Sequence, residues 1–247
     1  MTKLLEVCVD NLEDAMYAAR NGADRLELCG VLSAGGVTPS DGFVRAAVEE
    51  SGLQCIALVR PRSGDFLFTR HERYSMRRDV ESLFEAGCHG VAVGALTAEA
   101  RLDRQALAEL VQAAGSMEVV LHRAFDATQE PLRELETAVE LGFRRVLTSG
   151  GAAQAPAGVE QLARLVQAAA GRIEILPGGG VRSSNALELL RVSGATQLHA
   201  SCGVLQPSLM SKRHEHLVLG RNESGAAENW RIDQEELRSL RAILDSL

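Results

Sequence analysis

The sequence of 247 residues predicts a (β/α)₈ TIM barrel formed as one domain over residues 1–247. Short apolar runs alternate with longer Ala-, Leu-, Glu- and Arg-rich segments of helical period along the chain. A glycine stands just before most of these runs, at Gly22, Gly52, Gly87, Gly115, Gly142, Gly171 and Gly194. Glycine suits the left-handed residue that ends a helix, and the spacing is that of one βα unit. Alternating β and α over a whole chain implies a parallel sheet covered by helices. Eight units suggest closure into a barrel, with a doubly wound open sheet as the alternative. No Pro- or Ser-rich linker divides the pattern.

The strands are expected at Leu4–Val9, Arg25–Cys29, Gln54–Val59, Gly90–Gly94, Glu118–His122, Arg145–Thr148, Ile173–Leu176 and Gln197–Ala200. Helical segments fill the intervals, among them Ser183–Leu190, and Asp233–Leu247 completes the outer ring. Cys202–Ile232 is long for a βα loop and is expected to carry short elements of its own. Side chains alternate along a strand. Leu5, Val7 and Val9 therefore face the helices, while Glu6, Cys8 and Asp10 face the interior. Leu26 and Leu28 face out, with Glu27 and Cys29 inward; Leu198 faces out, with His199 and Ser201 inward.

Composition narrows the function classes. Acidic residues number 33 against 26 basic, for a net charge of −7, which disfavours nucleic acid and anionic membrane surfaces as partners. Aromatic residues are 4%, too few for base-stacking platforms. Apolar runs such as Cys55–Val59 are too short to span a bilayer. No basic-then-apolar leader is seen at the start, and a cytoplasmic place is expected. The cysteines at 8, 29, 55, 88 and 202 are widely spaced with no C-x-x-C pair, so thiols are expected rather than disulfides or a structural zinc site. Lysine occurs only at Lys3 and Lys212, which excludes a Schiff-base aldolase, and no G-x-S-x-G, H-E-x-x-H or P-loop is present.

In such barrels chemistry gathers at the C-terminal strand ends. Arg60, Arg62 and Asp65 follow the third strand, and His122-Arg123-Ala124-Phe125-Asp126 ends the fifth. Thr148-Ser149-Gly150-Gly151 ends the sixth and Pro177-Gly178-Gly179-Gly180 the seventh. With Glu6-Val7-Cys8-Val9-Asp10, Gly22–Cys29, Gly35–Ser40, Arg60–Phe66 and His199-Ala200-Ser201, these strings resemble, in order, the motifs of the CutC family from residue 4 to about 201. The resemblance implies a cytosolic (β/α)₈ protein, dimeric or larger, linked to copper tolerance and to Cu(I) binding through thiols. It implies no agreed enzymatic reaction.

Three readings follow. In the first, Cys8 and Cys29, at corresponding places on neighbouring strands, bind Cu(I), a soft ion that favours thiolates. Their layers in the barrel are expected to be offset, and buried packing is the alternative for both. Cys55 and Cys88 are expected to be structural, with Cys202 a third-ranked ligand. In the second, the barrel is an enzyme for a small anionic substrate, phosphorylated substrates included. Glu6, Glu27, Arg60, His122 and His199 are its catalytic candidates. Arg62, Arg123, Ser149, Gly150, Gly178, Gly179, Gly180 and Ser201 would hold the anion, helped by the helix starting at Ser183. Glu6, Glu27, His122 and His199 would also suit Zn²⁺ or Mn²⁺. An internal network in which Glu6 and Glu27 neutralise Arg60 and Arg123 is the competing account. In the third reading the barrel is retained for partner binding. His214-Glu215-His216 reads as an exposed polar loop, and Phe66-Leu67-Phe68 as a lid or a subunit contact.

Overall fold

The computed structural model describes residues 3–211 and 228–247. Eight strands carry the barrel: β1 (Leu4–Val9), β2 (Arg25–Leu28), β3 (Gln54–Leu58), β4 (Gly90–Val93), β5 (Glu118–Leu121), β6 (Arg145–Thr148), β7 (Glu174–Pro177) and β8 (Gln197–Ala200). They pair in parallel in the order β7-β6-β5-β4-β3-β2-β1-β8. A parallel bridge from Gly178 to His199 joins the two ends, so the sheet closes rather than staying open. Around it run α1 (Leu12–Arg20), α2 (Asp41–Ser51), α3 (Arg70–Glu85), α4 (Arg104–Ala114), α5 (Pro131–Glu140), α6 (Val159–Ala169), α7 (Ser183–Ser193) and α8 (Gln234–Asp245).

Local chemistry sets these boundaries. Asn11, Ser40, Asp103 and Asp233 accept first-turn N–H groups of α1, α2, α4 and α8. Thr69 and Glu72 form a capping box on α3. The seven glycines before the strands all have positive φ. Cys29, Val59, Gly94 and His122 lie just past their strands, where the chain leaves the ladder for the upper loops. β7 sits one residue later than expected, because its ladder with β6 begins at the Arg145–Glu174 pair.

The expected alternation holds. Leu5, Val7, Val9, Leu26, Leu28 and Leu198 pack in the layer between sheet and helices, which also holds Cys55 and Cys88. Cys8, Cys29, Ile56, Leu58, Ala92, Val120, Leu147 and Leu176 pack together inside the barrel. Each fully buried Leu there contributes about 1.5–3 kcal/mol.

The lower interior is ionic. Arg25 donates through Nε to Glu6 and through Nη2 to Gln197 Oε1 at 2.8 Å. Gln197 donates to Glu174 at 3.0 Å, and Arg145 bridges Glu174 at 3.3 Å and Glu118 at 2.6 Å. All of these but Glu6 start their strands, so the network lies toward the N-terminal end of the barrel.

Beyond β8, β9 (Gly203–Pro207) and β10 (Glu228–Ile232) form an antiparallel hairpin. The Trp230 ring lies so close to Gly203 that a Cβ there would fall 2.1 Å from it. The hairpin supplies the short elements expected after Cys202. His214-Glu215-His216 lies outside the described residues.

Candidate functional site

The C-terminal strand ends surround a cavity of about 320 Å³. Cys8, Glu27, Cys29, Arg60, His122, Arg123, His199 and Ser201 all line it. Glu6 does not line it and lies behind His199, to which it is hydrogen-bonded.

Strand register decides which of these groups meet. Cys8 is paired with Glu27 across β1 and β2, and Glu6 with His199 across β1 and β8. Cys29 therefore stands one inward step above the level of Cys8, and the two thiols are not lateral neighbours. Instead, ligand atoms of Cys8, Glu27 and His199 lie within 4.8 Å of one another, with all three residues buried. Glu6 Oε1 holds His199 Nδ1 at 2.7 Å, and His199 Nε2 is 3.8 Å from Glu27 Oε2. The Cys29 thiol donates to the same Glu27 oxygen at 3.4 Å.

The electrostatics follow from this crowding. Burial raises the Glu6 carboxyl, but Arg25 and His199 outweigh it and bring the pKa down to about 2. Burial lowers His199; Cys8, Glu27 and Glu6 outweigh it and hold the imidazole well above its ordinary value. Burial, partly offset by His199, raises Glu27. Cys29 is pushed well up by burial, then by Glu27 and Cys8. Cys202 is pushed up to about 12, chiefly by burial.

The three donors fit a metal ion. They offer one sulfur, one imidazole nitrogen and one carboxylate oxygen beside an open cavity, as sites with a free coordination position do. A carboxylate on the far nitrogen of a ligating histidine is the usual outer partner, and Glu6 supplies it. Metal capture at Nε2 would release the proton there.

Two of the expected anion cradles, the Ser149–Gly151 turn and the helix start at Ser183, are filled by carboxylates of the chain. Asp126 accepts from Ser149 N–H at 3.0 Å, Gly151 N–H at 3.1 Å, Ser149 Oγ at 3.0 Å and the Thr148 hydroxyl. Gly150 N–H donates to Thr148 Oγ1 at 2.9 Å. Glu236 of α8 takes the first N–H of α7 at Ser183, 2.7 Å, and the Ser183 hydroxyl at 2.8 Å. Gly178 N–H bonds Thr148 O at 3.0 Å, the Gly179 carbonyl accepts from Ala155, and the Gly180 carbonyl accepts from Asn185. Ser201 Oγ accepts from Gly203 N–H at 3.4 Å.

The arginines divide. Arg123 donates to Asp126 and Ser149, both at 2.8 Å, and lies against Gly179. Arg62 is drawn to Asp65 and Glu72 at the α3 terminus and does not line the cavity. Arg60 does, with its Nη atoms among the carbonyls of Ala34, Gly35, Gly36 and Gly64. Gly36, at φ +80°, leaves room there: a Cβ would fall 2.7 Å from Leu58. The internal network is thus differently wired from the expected one. Glu6 pairs with Arg25, Glu27 faces His199 and Cys29, and neither carboxylate neutralises Arg60 or Arg123.

His122 is separate from the other histidine. Its Nδ1 accepts Ala124 N–H at 3.1 Å, and its ring lies 5.2 Å from that of Phe66. Burial, then the Arg60 charge, lowers its pKa to about 3, so the imidazole is neutral near pH 7 with its hydrogen on Nε2. Gly94 admits the ring: a Cβ there would fall 2.4 Å from His122 Cε1. Phe66 lines the cavity, Phe68 is buried and Leu67 is exposed.

The sequence of the CutC family, described by that name, matches residues 3–204. A CutC family protein of Histophilus somni (strain 2336) is 39% identical over 239 residues, covering 97% of this chain and 98% of that protein. The human copper homeostasis protein cutC homolog is 38% identical over 245 residues, 99% of this chain and 90% of its own length. A solved CutC structure from Streptococcus agalactiae superimposes with a TM-score of 0.77 at 30% identity, over 81% of this chain and 98% of that one.

Proposed function

This chain belongs to the CutC family, and from that premise we propose that it is a cytosolic copper-handling protein that binds Cu(I) at the barrel mouth. The observation that carries the reading is the convergence of Cys8, Glu27 and His199. A thiolate and an imidazole suit a soft ion of low coordination number, and Glu27 offers a third, harder contact. Cys29, bonded to Glu27, stands close enough to that carboxylate to take its place when the ion shifts upward.

The ligand set differs from the two-thiol site expected from sequence, and the difference is measurable. In competition with a Cu(I)-selective chelator, the protein is expected to retain one ion per chain. Cys8→Ser and His199→Gln should each abolish that retention, while Cys29→Ser should leave part of it. Undiminished Cu(I) affinity in Cys8→Ser would sink the proposal.

A further inference from the structure

The cavity wall formed by β3 and β5 holds a buried charge that no carboxylate of the described residues neutralises. Arg60 is 8% exposed, and all of the hydrogen bonds of its guanidinium among the described residues go to neutral backbone carbonyls. Its Nε–H has no partner among the described residues. Beside it His122, 4% exposed, keeps Nε2 equally without a partner. The Phe66 ring lies against both, with its centroid 5.1 Å from Arg60 Cζ and 5.2 Å from the His122 ring. Buried donors are normally satisfied, and a buried cation is normally paired. Arg25 and Arg145 in the same barrel have their charge paired with glutamates, although Arg145 Nη1 is also left without a partner among the described residues. Two open donors and one uncompensated charge on the wall of a cavity need an oxyanion to complete them.

The surroundings choose its class. The amides of Ser149, Gly151 and Ser183, which could hold a phosphoryl dianion, are taken by Asp126 and Glu236. Arg60 and His122 offer one cation and two side-chain N–H groups, a match for a single carboxylate. The cavity, about 320 Å³, is at the small end of ligand sites. Leu32, Leu58, Leu147 and Trp230 give it apolar walls. We propose that Arg60 Nε–H and His122 Nε2–H form an oxyanion subsite for a small organic carboxylate with an apolar body, which reaches them by displacing the Phe66 ring. The subsite uses none of the metal donors, so it stands or falls apart from Cu(I) binding.

Chelator-treated, metal-free protein is titrated with isovalerate, benzoate, the neutral analogue benzamide, and inorganic phosphate. Calorimetry and the ring ¹⁵N resonances of His122 report binding. The carboxylates should bind and move the Nε2 resonance; benzamide and phosphate should do neither. Arg60→Lys and His122→Asn should each weaken benzoate by about tenfold or more, the scale of a hydrogen bond to a charged group. Asparagine keeps an acceptor for Ala124 N–H, and the wild-type resonance serves if either variant fails to fold. An Nε2 resonance unmoved by every carboxylate, phosphate binding in their place, or full affinity in both folded variants would overturn the subsite.

Discussion

The lower and upper halves of the barrel interior treat buried charge in opposite ways. Below, Arg25 and Arg145 are enclosed by Glu6, Glu118, Glu174 and Gln197. Above, Arg60 and His122 each keep a donor without an acceptor, and three metal-type donors crowd against one another. Both halves exclude water from polar groups, but only the lower one returns nearly all the lost hydrogen bonds from within the protein. The contrast separates charge that holds the barrel together from charge left available to a ligand.

Stability should register the contrast most strongly. Arg25→Met strips the counter-charge from Glu6 and a donor from Gln197, both buried. Breaking a buried pair from one side costs about 3–5 kcal/mol. Arg60→Lys keeps a charge among the same carbonyls and should cost about 1 kcal/mol. Urea midpoints of the two variants measure the gap. Equal losses would mean that Arg60 is as structural as Arg25, and the distinction would fail.

Glu6 joins the halves, since one oxygen holds Arg25 and the other His199 Nδ1. Glu6→Gln should therefore reach upward. Losing an outer-shell carboxylate typically weakens a metal site about 10–100-fold. Cu(I) competition on the folded variant would read this directly. An unchanged affinity would detach Glu6 from the site and leave it a purely structural residue.

How much of this was legible in the residues depends on whether alternation or register governs. Alternation along β1, β2 and β8 brings Cys8, Glu27 and His199 inside, and those side chains do converge. The same parity applied one step earlier reaches Arg25, two residues before Glu27, so the lower network too has a signal in the alternation. Register had none. The offset that sets Cys8 beside Glu27 rather than Cys29 comes from the tilt of strands in a closed barrel. Asp126 shows a third limit. It stands in plain view in the string ending β5, but it meets Ser149 and Gly151 only through loop paths that no spacing encodes. A glycine-rich turn read as an empty cradle was already occupied from within the chain.

The smallest expected effect tests the neutral state of His122. An unfolded histidine titrates near 6.5, and here burial and Arg60 lower the folded value to about 3. The unfolded chain therefore takes up a proton that the native state refuses, and stability falls as pH drops from 6.5 toward 3. Glu6 acts in the same direction at lower pH: its contribution is present above 4.5 and lost as pH falls toward 2. His199, raised, acts oppositely; its contribution is intact below 6.5 and lost above its folded value. Glu27 titrates upward from 4.5 in both wild type and variant, so the difference between the two proteins isolates His122. At pH 7 His122→Asn should cost about 1 kcal/mol for the ring atoms it removes. Between pH 6.5 and 4.5 that deficit should shrink and then reverse, because asparagine has no proton to take up. Parallel decline of the two urea midpoints across this window would show that the imidazole charges freely in the folded protein. Its Nε2 would then face solvent like any surface histidine, and the upper half would lose one of the two donors that set it apart from the lower.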